Sequence, residues 1–204
     1  MTQYKQHDWD RIPVWKKDSL KDSFILMNDQ INGRIPVTKL KHWDQFTSFL
    51  ETEFCNRKRI DLVFIGHRRY DWGLTPTLAR FNKENIIDKE LAEEQLKFFR
   101  KAIRGRISDH SLFNSDDKRE DDELWAIGQH YGLKTPLLDW TYSPYVALFF
   151  AFSKANEAEE KDNPYRAIYI LNKTAISDEN YFSEIRVLEP RKDDHGRLVN
   201  QAGL

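Results

Sequence analysis

An α+β fold with short, mostly antiparallel strands packed beside helices is predicted by three observations. Short apolar runs at 61–66 (DLVFIG) and 167–171 (AIYIL) have the length and composition of buried strands. Apolar residues at helical spacing recur at 43–54 and again in the stretch that begins at Asp88. The 204 residues are 40% hydrophobic and 13% aromatic, enough for one sizeable core with a small appended segment.

In chain order, residues 1–40 are read as an N-terminal arm that packs on a body spanning 41–204, with Ile12 and Trp15 as buried anchors. Asn32-Gly33 marks a turn between 24–31 and 35–37, a hairpin signal. Trp43, Phe46, Leu50 and Phe54 form the stripe of an amphipathic helix over 42–55 that ends near Asn56 and makes Cys55 a core thiol. After the strand 61–66 comes HRRYDWGLTPTLAR, where His67, Arg68, Arg69 and Arg80 crowd a loop. A basic loop leaving a buried strand can converge amides and guanidinium groups on a phosphate, although a solvated surface turn fits the same composition.

Asp88 caps a helix over 88–107 with Leu91, Phe98, Phe99, Ala102 and Ile103 on one face. Its Lys97, Arg100, Lys101 and Arg104 read as a solvated face. The charged stretch 114–122 leads into a helix over 122–131 that Asp122 caps, Leu124, Ile127 and Tyr131 line, and Gly132 ends in the left-handed conformation. Pro136 opens a strand at 136–139, and Ser143-Pro144 are the N-cap and first position of a helix over 144–155. That helix has almost no polar side chain, which predicts enclosure on most sides and a preceding turn pinned against the core. Further strands are expected at 167–171 and 185–188.

Lysine plus arginine number 32 against 33 acids, so no general field attracts nucleic acid or an anionic membrane. The six histidines lie at 7, 42, 67, 110, 130 and 195 without the short spacing of a zinc site, and no metal is expected. One cysteine, no apolar signal region and no run of eighteen apolar residues predict a soluble, cytoplasmic protein. The ending on Ala-Gly-Leu is read as a domain truncated or stopped early at its C-terminus.

The segments FIGHRRYDWGLTPTLAR at 64–80 and QHYGLKTPLLDWTYSPYVALFFAF at 129–152, followed by NQAGL at 200–204, resemble the FRG domain family over roughly 43–204. Matching positions are Phe64, Gly66, His67, Trp72, Leu74, Pro76, Arg80, Gln129, His130, Tyr131, Gly132, Leu138, Asp139, Trp140, Thr141, Ser143 and Ala147. Ile65 departs from the pattern, standing where the name motif has arginine.

The same order of elements is similar, more weakly, to ADP-ribosyltransferases of the Arg, Ser-Thr-Ser, Glu class, which implies an ADP-ribosyltransferase-like fold and NAD as substrate. Carried across, Ile65 occupies the arginine position, Gly66 the nicotinamide-binding glycine, and Thr141 to Ser143 the turn that supports the pocket. Candidates for the third element are Glu189 and Gln201, neither in a Glu-x-Glu motif.

Such chemistry needs the diphosphate neutralised, the nicotinamide amide gripped by backbone groups, and a polar group near the ribose to stabilise positive charge. His67, Arg68 and Arg80 are the cofactor-binding candidates beside Ile65, Gly66, Thr141 and Ser143; His130, Tyr131, Asp139 and Gln201 are the catalytic candidates. Structural roles compete for the same residues: Asp139 can cap its turn, and His130 can hydrogen-bond a helix terminus. The implied function is NAD-dependent ADP-ribosyl transfer to an unidentified macromolecule, or NAD hydrolysis, in a toxin or phage-defence effector. The alternative is a non-catalytic module that binds a nucleotide or a peptide.

Overall fold

The computed structural model describes residues 10–29, 33–81, 83–106, 110–113, 118–156, 163–177 and 185–189. The chain forms two compact units, one built from Met1–Gly73 with Trp140–Ile185, the other from Leu74–Asp139 with Arg186–Leu204.

In the first unit, β1 (Ile25–Asp29) and β2 (Gly33–Val37) pair antiparallel from Ile25 opposite Val37 to Asp29 opposite Gly33. The expected hairpin is therefore present. Its strands are apolar enough to pair, while residues 30–32, with the predicted turn's Asn32, lie outside the described residues. Trp15 N–H donates to Lys39 C=O (2.9 Å) and Lys39 N–H to Pro13 C=O (2.8 Å), tying the early chain beside the end of β2. Ile12 and Trp15 are buried, and the Trp15 ring meets Phe49 edge-on at 6.0 Å.

Phe49 belongs to α1 (Trp43–Leu50), which buries Phe46 and Phe49. The stripe predicted a helix reaching residue 55, but the helix stops at Leu50. The Asn56 side-chain amide donates to the Leu50 carbonyl (2.7 Å), the acceptor that Phe54 N–H would use in another turn of helix, while the Thr52 carbonyl accepts from Cys55 and Asn56 N–H. Cys55 consequently sits in the turns after α1, where burial pushes its thiol pKa up, opposed by the hydrogen bond with Thr52. A raised pKa leaves less thiolate at neutral pH than an unburied cysteine has. Iodoacetamide is accordingly expected to label Cys55 several-fold more slowly than free cysteine at pH 7.5, with a rate that keeps rising above pH 9; labelling at the free-thiol rate would contradict this environment.

β3 (Leu62–His67) pairs antiparallel with β4 (Ala167–Asn172), within one residue of the expected strands. α4 (Pro144–Phe152) packs on β3, and the short α5 (Lys173–Ser177) follows β4 directly. Ser143 and Pro144 are the N-cap and first position of α4, as predicted, with Val146 N–H donating to Ser143 Oγ at 3.4 Å. The expected enclosure of α4 is not found. Ala147, Leu148 and Ala151 are buried, whereas Tyr145, Val146, Phe149, Phe150 and Phe152 are exposed, because one flank of the helix meets the sheet.

The second unit is organised by α2 (Lys89–Ala102) and α3 (Lys118–His130). Its core gathers Leu78, Leu96, Ile103, Leu112, Leu124 and Trp125. Asp88 caps α2 by accepting from the N–H groups of Glu90 and Leu91 at 2.9 and 3.2 Å. Asp88→Ala leaves both amides without that partner and is expected to cost about 1 kcal/mol, read as a lower midpoint in chemical denaturation. α3 begins at Lys118 rather than at Asp122, which lies inside the helix and accepts from Arg186 instead of capping it. Gly132 ends it at φ 84°, the left-handed conformation predicted for that position.

Two expected strands are absent. At 136–139 the chain is irregular: the Thr135 and Thr77 hydroxyls and the Leu78 amide take the main-chain groups around Thr135 that a ladder would use. Residues 185–188 are likewise irregular, with Arg186 held by Asp122. The architecture is thus α+β with two antiparallel two-stranded sheets among the described residues. No helix among those residues is long and apolar enough to cross a membrane.

Candidate functional site

Within the first unit the geometry around β3 follows from one pair of hydrogen bonds. Phe64 N–H donates to Thr141 C=O at 2.8 Å, and Thr141 N–H returns to Phe64 C=O at 2.9 Å. In an extended antiparallel strand the N–H and C=O of one residue point to the same edge, and the edge alternates along the chain. Leu62, Phe64 and Gly66 therefore aim their main-chain groups at the edge where Thr141 sits, and Val63, Ile65 and His67 aim theirs at β4. The bond from Lys173 N–H to Asp61 C=O (2.8 Å), on the β4 side, agrees with that alternation. Gly66 thus presents an N–H and a C=O just past the Thr141 bridge.

Side chains alternate across the other axis of the strand. The Gly66 Cα faces α4 so closely that a Cβ there would lie 1.8 Å from the Ala147 carbonyl oxygen and 3.2 Å from Ala151 N. Glycine at this position lets helix and strand backbones touch. Ile65 then leaves β3 on the face away from α4, the face shared by its ladder partner Tyr169.

That face carries an aromatic and basic cluster. Tyr169 Oη donates to the Trp72 carbonyl at 2.8 Å, and His67 Nδ1 lies 3.3 Å from the same oxygen. The His67 ring is 5.3 Å from Tyr169 and 6.2 Å from Trp72, and the Arg68 guanidinium lies over the Trp72 ring at 5.6 Å. Arg68 Nη1 reaches the Ala155 carbonyl at 3.5 Å. Buried Asn163 donates to the Arg68 carbonyl at 3.0 Å and fixes the loop where it leaves the strand. Arg69 is engaged in a two-pronged pair with Asp71, at 2.9 and 2.7 Å.

Thr141 and Ser143 shape the start of α4. Thr141 holds the edge of β3 and its Oγ1 accepts from Ser143 N–H at 3.1 Å, while Ser143 caps the helix. Of the predicted site residues, Ile65, Gly66, His67, Arg68, Thr141 and Ser143 all belong to this unit.

Arg80, His130, Tyr131 and Asp139 belong to the second unit. Arg80 donates through Nε and Nη2 to the Thr75 carbonyl (3.1 and 3.0 Å), which straps its own loop. The His130 and Tyr131 rings meet edge-on at 5.3 Å beside the exposed end of α3. Asp139 accepts from the Gln129 side-chain amide, whose oxygen in turn accepts from the fully buried Thr135 hydroxyl. This relay gives Gln129 a structural task between Asp139 and Thr135. Gln201 lies outside the described residues; Glu189 is described and exposed.

Sequence reasoning assigned no role to Tyr169 or Asn163 and only motif membership to Trp72. Placing Tyr169 beside Ile65 requires the β3–β4 register, which no local pattern encodes. Among the described residues, no group of three or more His, Cys, Asp or Glu side chains is placed to hold a metal ion.

Residues 61–160 match the family model of the FRG domain. The matched stretch runs from the start of β3 to just beyond α4 and is similar to the FRG domain. No curated protein and no solved structure matches the chain significantly.

Proposed function

We propose that the FRG-like domain is an NAD-using enzyme of ADP-ribosyltransferase type, transferring ADP-ribose to a macromolecular acceptor or to water. The observation that carries this reading is the aim of the Gly66 N–H and C=O at the strand edge beyond Thr141. A donor and an acceptor side by side on one backbone residue complement a carboxamide, which offers an acceptor and a donor in the same plane. The carboxamide of nicotinamide would pair there as an added partner at the strand edge.

The Arg68 guanidinium, on the loop that leaves β3, supplies charge for a diphosphate. In the reaction the bond between the ribose C1′ and the nicotinamide nitrogen breaks, and its electron pair leaves with nicotinamide. The acceptor oxygen or nitrogen bonds C1′ and releases its proton to solvent or a nearby base. Gly66 holds the leaving group in this scheme, and Thr141 pairs with the same strand edge two residues earlier, at Phe64.

Ile65 favours a second reading, a nucleotide-binding module without turnover. An isoleucine beside Tyr169 offers no hydrogen bond where the motif arginine would offer a fork of donors. Incubation with NAD separates the two. Nicotinamide release by the native protein, raised in Ile65→Arg, is expected for the enzyme; saturable NAD binding with no release from either form supports the module. Neither binding nor release would contradict both.

A further inference from the structure

We propose that Tyr169 is a positioning residue for Arg68, holding the loop after β3 in the shape that presents the guanidinium to an anion. The proposal rests on the reading of Arg68 as the diphosphate contact and adds the residue that places it. Tyr169 stands opposite Ile65 in the β3–β4 ladder. Its hydroxyl reaches the main chain of the loop rather than another side chain. Oη donates to the Trp72 carbonyl at 2.8 Å, and His67 Nδ1 lies 3.3 Å from the same oxygen.

Three links connect that hydroxyl to the guanidinium. Trp72 is held through both of its main-chain groups, the carbonyl by Tyr169 and the N–H by donation to Arg69 C=O at 3.4 Å. This fixes where its ring stands. The Arg68 guanidinium lies over that ring at 5.6 Å, and Nη1 lies 3.5 Å from the Ala155 carbonyl. Asn163, itself buried, holds the Arg68 carbonyl at 3.0 Å, so the residue is fixed at its root as well as at its tip.

Packing alone does not set this arrangement. Trp72 is 40% exposed, which leaves its main-chain hydrogen bonds a large share in placing it. An arginine loses rotamer freedom when it meets an anion, and a ring that already carries the guanidinium lowers that cost. When the competent shape of a loop is only partly populated, apparent affinity falls by that fraction. A neutral hydrogen bond moves such an equilibrium by about 2- to 12-fold. His67 stays beside the same carbonyl when the tyrosine hydroxyl is removed, so the expected loss is partial.

Titration of NAD and of inorganic pyrophosphate into the native chain, Tyr169→Phe, Arg68→Gln and the double variant, followed by backbone amide resonances, is the test. Tyr169→Phe keeps the ring that meets His67 at 5.3 Å and loses only the hydroxyl. It is expected to bind both ligands about 3- to 10-fold more weakly than the native chain. In the Arg68→Gln background it is expected to make no further difference, because residues that act through one another are not additive. A tyrosine with a merely structural role would lower the unfolding temperature and leave both affinities unchanged, which overturns the proposal. A loss confined to NAD, or one that recurs at full size beside Arg68→Gln, overturns it equally. Pyrophosphate binding with the expected losses but no NAD binding supports the placing of Arg68 and removes the NAD reading; NAD binding that ignores Tyr169→Phe does the reverse. A native chain that binds neither ligand overturns both. Where Tyr169→Phe fails to fold, or Arg68→Gln binds too weakly to measure, Trp72→Leu removes the ring under Arg68 and keeps the carbonyl. It is expected to weaken both ligands about threefold or more, and native affinity in that variant overturns the proposal.

Discussion

Gly66→Ala is expected to unfold at a temperature about 6–12 °C below the native chain, the consequence of a loss of about 3 kcal/mol. The added methyl would stand 1.8 Å from the Ala147 carbonyl oxygen and 2.7 Å from its carbon. Those are backbone atoms of α4, so relief requires the whole helix to move off β3 rather than one side chain to rotate. Phe64, buried two residues earlier on the same strand face, would lose packing in that movement. Gly105→Ala is the comparison. Its φ of 77° strains an alanine, yet nothing lies within 4 Å of the new Cβ, and a loss of only about 1–2 kcal/mol is expected. Thermal unfolding of the two variants side by side checks the difference. A Gly66→Ala protein that melts with the native one would contradict the close docking of α4 on β3.

Ile65→Arg is expected to raise nicotinamide release from NAD by about 30- to 1,000-fold, equivalent to about 2–4 kcal/mol of transition-state stabilisation. The arginine would leave β3 on the face of Tyr169 and His67, where Ile65 is half-buried. A planar fork of donors there meets phosphate or ribose oxygens in a way that a branched hydrocarbon cannot. Because the diphosphate carries the same charge before and during the departure of nicotinamide, restored anchoring is expected in kcat/KM mainly through a lower KM, with a smaller change in kcat. Ile65→Lys should recover less, being a point charge without the fork, and Ile65→Leu should recover nothing. Equal rates for Ile65→Arg and Ile65→Leu would remove Ile65 from any account of turnover.

Much of the local structure was legible because its causes are local. Asp88 and Ser143 cap helices by bonding amides a few residues ahead, and Gly132 ends one by its own φ. The strands at β3 and β4 are short apolar runs, visible as such. What escaped depends on partners distant in the chain. The apolar run at 136–139 looked like a strand, but the hydroxyls of Thr77 and Thr135 take main-chain hydrogen bonds beside it. The run at 144–152 reads as an enclosed helix, since composition records what a helix carries and not which flanks meet a neighbour; here one flank meets β3, and Val146 and the aromatic Tyr145, Phe149, Phe150 and Phe152 are exposed.

The candidate site divides in the same way. His67, Arg68, Thr141 and Ser143 were identifiable from a basic loop and a helix start. The direction of the Gly66 main-chain groups depends on the bridge between Phe64 and Thr141, and the neighbourhood of Ile65 depends on Tyr169. Neither pairing is written in the spacing of residues along the chain.

The central claim, that the Gly66 strand edge receives the carboxamide of NAD, is tested most directly by following backbone amide resonances during titration with NAD and, separately, with nicotinamide. The Gly66 amide is expected to shift saturably with both ligands, with Arg68 responding to NAD alone. A Gly66 amide that stays fixed while NAD saturates the protein would contradict the claim.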